Sequence, residues 1–118
     1  MRVISQNGTV DVHYETSSLF VYFMQCVDPE RAVIYCKNSC FKEDEIIAEY
    51  STEAKAIKAM EMLRGRYEKL EVMKVIASGT AEYMGKSLAT DEMIEQYNAY
   101  CDMNVFQFPQ DDEIEVVE

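Results

Sequence analysis

Arg64, Arg66 and Lys69 stand close together in a chain that is otherwise acidic. The 118 residues carry a net charge of −11. Between Ala54 and Ile76, however, six basic residues face three acidic ones, whereas from Ala77 onward Lys86 faces ten carboxylates. A guanidinium is a planar fork that can meet a phosphate or carboxylate with two parallel hydrogen bonds. Arg64 and Arg66 therefore suit an oxyanion, with Lys69 as a point charge beside them. Arg31, in the turn before a strand, is a further candidate. The competing reading is a solvated face of an amphipathic helix. Eight tyrosines and five phenylalanines add apolar area. Tyr67 and Phe106 are candidates for stacking on a base, with core packing as the competing reading. A basic segment of this kind suits a pocket for a small phosphorylated ligand or a partner-binding face. The field of the whole chain disfavours direct binding of nucleic acid.

Other chemistry finds less support. The run "SGTAEYMGKS" has the outline of a phosphate loop, which needs four residues between its first glycine and Gly-Lys-Ser. Here five separate Gly79 from Gly85, and Glu82 puts a negative charge where phosphate would sit. The segment reads instead as a connection between two helices. Cysteines fall at 26, 36, 40 and 101, with a single histidine, His13. A structural zinc site uses two tight ligand pairs, so this spacing implies no metal and reduced thiols. One histidine also leaves nucleophilic catalysis without a base partner, so we expect no catalytic residues, no cofactor and no enzyme activity.

The elements that would position these groups are strands, then helices. Asn7-Gly8 between "MRVISQ" and "TVDVHY" signals a two-residue hairpin of type I′. "SLFVYFMQCV" and "AVIYCKN" read as strands joined through a turn at "DPER", with Pro29 in its second position, and "EIIAEY" reads as a further strand. Ser51 is the expected cap of a helix whose buried face is Ala56, Ile57, Met60, Leu63, Tyr67 and Leu70. Lys55, Lys58, Arg66 and Lys69 fall on the other side. Gly65 within it marks a close approach or a bend. "LEVMKVIA" either extends this helix or forms a strand. Thr90 caps a second helix with Ile94, Tyr97 and Cys101 as its apolar stripe. "NVFQFP" reads as a short strand, and "QDDEIEVVE" as an acidic tail.

The expected fold is α+β: an N-terminal antiparallel β-meander of about five strands packed on one long helix, then a second helix and a short C-terminal strand. Residues 1–110 form one domain and 111–118 an acidic C-terminal tail. The chain has no run apolar enough to span a membrane, and "MRVISQNG" does not read as a signal peptide, so an intracellular location is expected.

The opening "MRVISQNGTVDVHYE", the helix "YSTEAKAIKAMEML" and the ending "FQFPQDDE" resemble a group of small proteins from phages, prophages and mobile elements of Firmicutes. That pattern often has proline where this chain has His13. In size and layout the chain is similar to the Thoeris anti-defence proteins. These are oligomeric sponges that hold a cyclised ADP-ribose signal away from its effector. The resemblance implies a homo-oligomer in the cytoplasm of a bacterial host. It would sequester a nucleotide second messenger, a cyclic ADP-ribose type or a cyclic oligonucleotide, without cleaving it. The alternative expectation is an acidic anti-CRISPR-type inhibitor that binds a host defence protein directly by imitating nucleic-acid charge.

Overall fold

The computed structural model describes residues 1–24, 30–85 and 90–116. The chain is α+β, with six strands in two three-stranded sheets and two α-helices among the described residues. One sheet has β1 (Arg2–Ile4) in its centre, antiparallel to β2 (Asp11–His13) and parallel to β6 (Val105–Gln107). The other is an antiparallel meander of β3 (Ser17–Met24), β4 (Arg31–Asn38) and β5 (Glu45–Tyr50). A 3₁₀ turn, Tyr14–Thr16, links the sheets. The meander thus covers three strands rather than five. The first hairpin goes instead to a separate sheet, because the "NVFQF" strand returns to lie beside β1. The turn expected at "DPER" and the thiol of Cys26 lie outside the described residues, as does Lys86.

The β1–β2 hairpin turns at Asn7-Gly8, but one residue away from the expected type I′ position. The Ser5 carbonyl accepts from the Gly8 N–H at 3.0 Å, so Gly8 is the fourth residue of the turn. It has φ 79°, a left-handed conformation that glycine adopts at no steric cost. The Asn7 carboxamide oxygen accepts from the Ser5 hydroxyl and from the Thr9 N–H and hydroxyl, which closes the loop.

β4 is the centre of the meander. Ala32, Val33, Ile34 and Cys36 are fully buried, as a strand covered on both faces requires. Helix α1 (Glu53–Gly85) lies across the inner face and buries Ala56, Ala59, Leu63 and Leu70. Two alanines at the contact let the backbone approach the sheet. Ile57 was expected in this face but is 44% exposed, and Ala59 takes its place. The helical period excludes one of two adjacent residues from the centre of the stripe. The 33 residues of α1 extend through "LEVMKVIA" and into the glycine-containing run, so Gly79 and Gly85 are helical. At 1.5 Å per residue such a helix is about 50 Å long, which accounts for the 60 × 37 × 19 Å outline. Neither helix is long and apolar enough to cross a membrane, among the described residues.

Helix α2 (Asp91–Asp102) begins as expected, with the Thr90 side chain accepting from the Met93 N–H. It packs along α1. Ile94, Tyr97 and Tyr100 are half-buried there, while Cys101, expected in this stripe, is exposed. The start of α1 departs from expectation too. Its cap is Thr52, whose hydroxyl accepts from the Lys55 N–H at 3.2 Å. Ser51 makes a different bond.

Ser51 donates from both its N–H and its hydroxyl to the Asp111 carboxylate, at 2.7 and 3.0 Å, and Lys55 Nζ lies 3.2 Å from the same group. A short 3₁₀ helix, Asp111–Glu113, and the buried Ile114 complete this latch. Within the stretch read as an acidic tail, Ile114 is thus anchored in the core. The Ser51 N–H holds the Asp111 carboxyl below its usual range. Partial burial opposes this, and the Ser51 hydroxyl and Lys55 ammonium add to it. A depressed carboxyl stabilises the fold above its unfolded value of about 3.9, and that stability is lost as pH falls through the folded value. Asp111→Ala is expected to lower stability by about 1–2 kcal/mol at neutral pH, allowing for the half-exposed site. In urea titrations the gap between variant and parent should narrow as pH falls below the unfolded value and close once it has passed through the depressed folded value, where the parent too lacks the charge. A gap that persists there would exclude the carboxylate as its source.

Gly65 has nothing within 4 Å of where a Cβ would sit. It serves no close approach. Gly65→Ala should stabilise the helix by about 0.5–1 kcal/mol, read as a raised midpoint in chemical denaturation. A lowered midpoint would reveal a bend that needs glycine.

Candidate functional site

Met60, Arg64 and Tyr67 recur at positions i, i+4 and i+7 of α1, so they share one face. That face meets the 3₁₀ turn and the start of β3. Between them lies a groove of about 490 Å³, lined by Tyr14, Glu15, Ser17, Leu19, Met60, Arg64 and Tyr67. The turn exists because β2 ends at His13 and the chain must cross from one sheet to the other. The Thr16 hydroxyl donates back to the His13 carbonyl at 3.4 Å. The Tyr14 and Tyr67 rings meet with centroids 4.5 Å apart at a 40° tilt. They form an aromatic wall beside the guanidinium.

The charges in the groove differ in how far they are committed. Glu15 accepts from the Met1 amino group at 2.6 Å. Partial burial raises its carboxyl, but the amino-group hydrogen bond and charge bring it below its usual value. Arg64 is exposed and makes no ion pair or hydrogen bond among the described residues. Burial, with the Glu71 and Glu15 charges and a hydrogen bond to the Glu71 carboxylate, raises the Tyr67 hydroxyl above its ordinary value, so it remains protonated and is directed to Glu71. The groove therefore offers one uncommitted guanidinium and two aromatic rings.

Two of the residues singled out by type, Arg64 and Tyr67, come together here. Lys69 is exposed on α1 outside the lining. Arg66 serves the fold. Its Nη1 donates to the Val105 carbonyl at 3.1 Å, and its guanidinium lies 5.8 Å from the Phe106 ring centroid. It ties α1 to β6. Phe106 is 5% exposed and meets Phe108 edge-on, at 5.4 Å between centroids. It is a core residue with no face free for a base. Arg31 pairs with Glu49 at 2.9 Å on the meander's outer face, away from the groove. The basic stripe is also divided, because Lys55 belongs to the Asp111 latch.

Tyr14, Glu15 and Ser17 were not singled out by sequence. The signal was the run "HYETSS", where the alternation of β2 stops before that of β3 begins. Of the thiols, Cys36 is buried, and burial pushes it up; Cys40 and Cys101 are exposed. No group of three or more His, Cys, Asp or Glu gathers in metal-binding geometry among the described residues.

Comparison with protein-family models, with curated proteins and with solved structures finds no match to this chain. The resemblance to small phage and prophage proteins rests on the three quoted segments alone.

Proposed function

We propose that the chain is an anti-defence protein of a phage or prophage that binds and sequesters a nucleotide second messenger without cleaving it. The observation that carries this reading is the groove in which the uncommitted Arg64 stands beside the Tyr14–Tyr67 pair. An arginine fork next to aromatic faces suits a phosphorylated nucleoside, with phosphate on the guanidinium and base or ribose against the rings. A volume of about 490 Å³ falls in the range of small-molecule sites. Arg64 places a positive charge at the groove in a chain of net charge −11, which favours an anion there over the rest of the surface.

Calorimetric titration with cyclic ADP-ribose isomers and with cyclic dinucleotides tests the reading. The expected result is saturable heat with one of these classes and recovery of the intact ligand after denaturation. No heat with any of them removes the proposal. Recovery of a cleaved product removes the non-catalytic part of it.

A further inference from the structure

The groove has opposite charges at its two ends. Arg64 and Tyr67 share one face of α1, and Glu71, one turn beyond Tyr67, continues that face. From Arg64 to Glu71 the helix rises about 10 Å. Arg64 marks the positive end. The other end is acidic. Glu15 lines the groove from the 3₁₀ turn, and the Tyr67 hydroxyl feels the Glu71 and Glu15 charges together while donating to Glu71. No salt bridge joins Arg64 to either carboxylate among the described residues, so the charges stay apart.

A nucleotide lying along the groove must answer this polarity. Its phosphate belongs at Arg64, because a phosphate at the other end would face two carboxylates. What the acidic end accepts is a hydrogen-bond donor. An ionised carboxylate is an acceptor alone, with about four lone-pair sites. The Met1 amino group, at 2.6 Å, and the Glu15 N–H take part of that capacity on Glu15 and leave the rest. The bases differ at this point. The Watson–Crick edge of guanine carries two donors side by side, N1–H and the N2 amino group, which match the two oxygens of a carboxylate. Adenine and cytosine set one amino donor beside a bare ring nitrogen, whose lone pair a carboxylate repels. Uracil has one donor between two carbonyls.

We propose that Glu15 reads guanine, and that the messenger held in the groove is a guanine-containing cyclic nucleotide rather than an adenine one. This rests on the groove being the ligand site. One phosphate meets the Arg64 guanidinium, the base lies against the Tyr14–Tyr67 pair, and its N1–H and N2 amino group donate to Glu15. The spacing along α1 suits the reach from the phosphate of one nucleotide unit to the far edge of its base. Glu15 is also held in place before any ligand arrives. It sits in the turn between the two sheets, and its bond to the Met1 amino group restrains the side chain, which lowers the entropy lost on binding.

Calorimetric titration of the unaltered protein with cyclic di-GMP, cyclic di-IMP and cyclic di-AMP tests this, because the three differ in the base alone. Hypoxanthine keeps the N1–H of guanine and lacks the amino group. Cyclic di-GMP should bind about ten- to a hundredfold more tightly than cyclic di-AMP, with cyclic di-IMP between them. Glu15→Gln should erase this order or turn it toward adenine, since a carboxamide sets one donor beside one acceptor. The ratio of affinities is read on the folded fraction, so stability lost with the Met1 bond does not move it. Cyclic di-AMP or a cyclic ADP-ribose isomer binding as tightly as cyclic di-GMP, or more so, overturns the proposal and leaves the sequestration reading standing. An unchanged order in Glu15→Gln overturns it too. No heat with any of these ligands removes both. The titrations on the unaltered protein decide the matter even if the variant does not fold.

Discussion

Alanine at Arg64 is expected to weaken binding of the nucleotide ligand about ten- to a hundredfold, the worth of a charge-assisted hydrogen bond of about 1.5–3 kcal/mol. The thermal transition should not move, because the side chain is exposed and holds no other part of the fold. Arg66→Ala should do the reverse. It removes the bond to the Val105 carbonyl and the cation over the Phe106 ring, so α1 loosens from β6. Stability should fall by about 1–2 kcal/mol while the folded fraction keeps its affinity. Calorimetry on both variants, with a denaturation curve for each, separates the two roles. Equal loss of affinity in the two would return Arg66 to the site; full affinity in Arg64→Ala would remove the groove from it.

The second large effect lies in the core. Phe106→Ala and Phe108→Ala should each cost about 3–5 kcal/mol, because the cavity left behind cannot close between β6 and α1. A domain of this size has a net stability of about 5–15 kcal/mol, so either change brings the chain near unfolding. Phe106→Leu should cost much less. Guanidinium denaturation reads all three. If Phe106→Ala kept its stability and lost ligand, the ring would belong to a stacking site after all.

These contrasts mark how far the sequence was legible. The period of α1, the Thr90 cap and the strands β3 to β5 follow from local pattern, and they are where the text of the chain places them. Residue type alone could not divide Arg64 from Arg66. The two are neighbours but one apart on a helix, about 200° round its axis, so one faces β6 and the other the groove. The parallel pairing of β1 with β6 was also hidden, since three-residue strands have too little pattern to name their partners. The same holds for the latch. Asp111, Asp112 and Glu113 look alike in sequence, yet Asp111 binds Ser51 and Lys55, and Glu113 accepts from the Gln110 N–H. Neutralising all three would therefore damage the fold before it reported on any acidic partner surface. Asp112 and Glu115, both exposed, are the cleaner pair for that purpose.

The parallel strand pair has a further consequence, in the order in which the chain is made. The meander and α1 are contiguous and can assemble as they leave the ribosome. β1 is synthesised first but completes its sheet only when β6 arrives. The Gln6 side chain finds its acceptor on Pro109, 103 residues later. Contacts this distant in sequence close slowly, because loop entropy must be overcome before they contribute. Until β6 is made, β1 has β2 as its one partner and its other edge unpaired. The final segment, through Phe108 and Asp111, decides when the molecule becomes one folding unit.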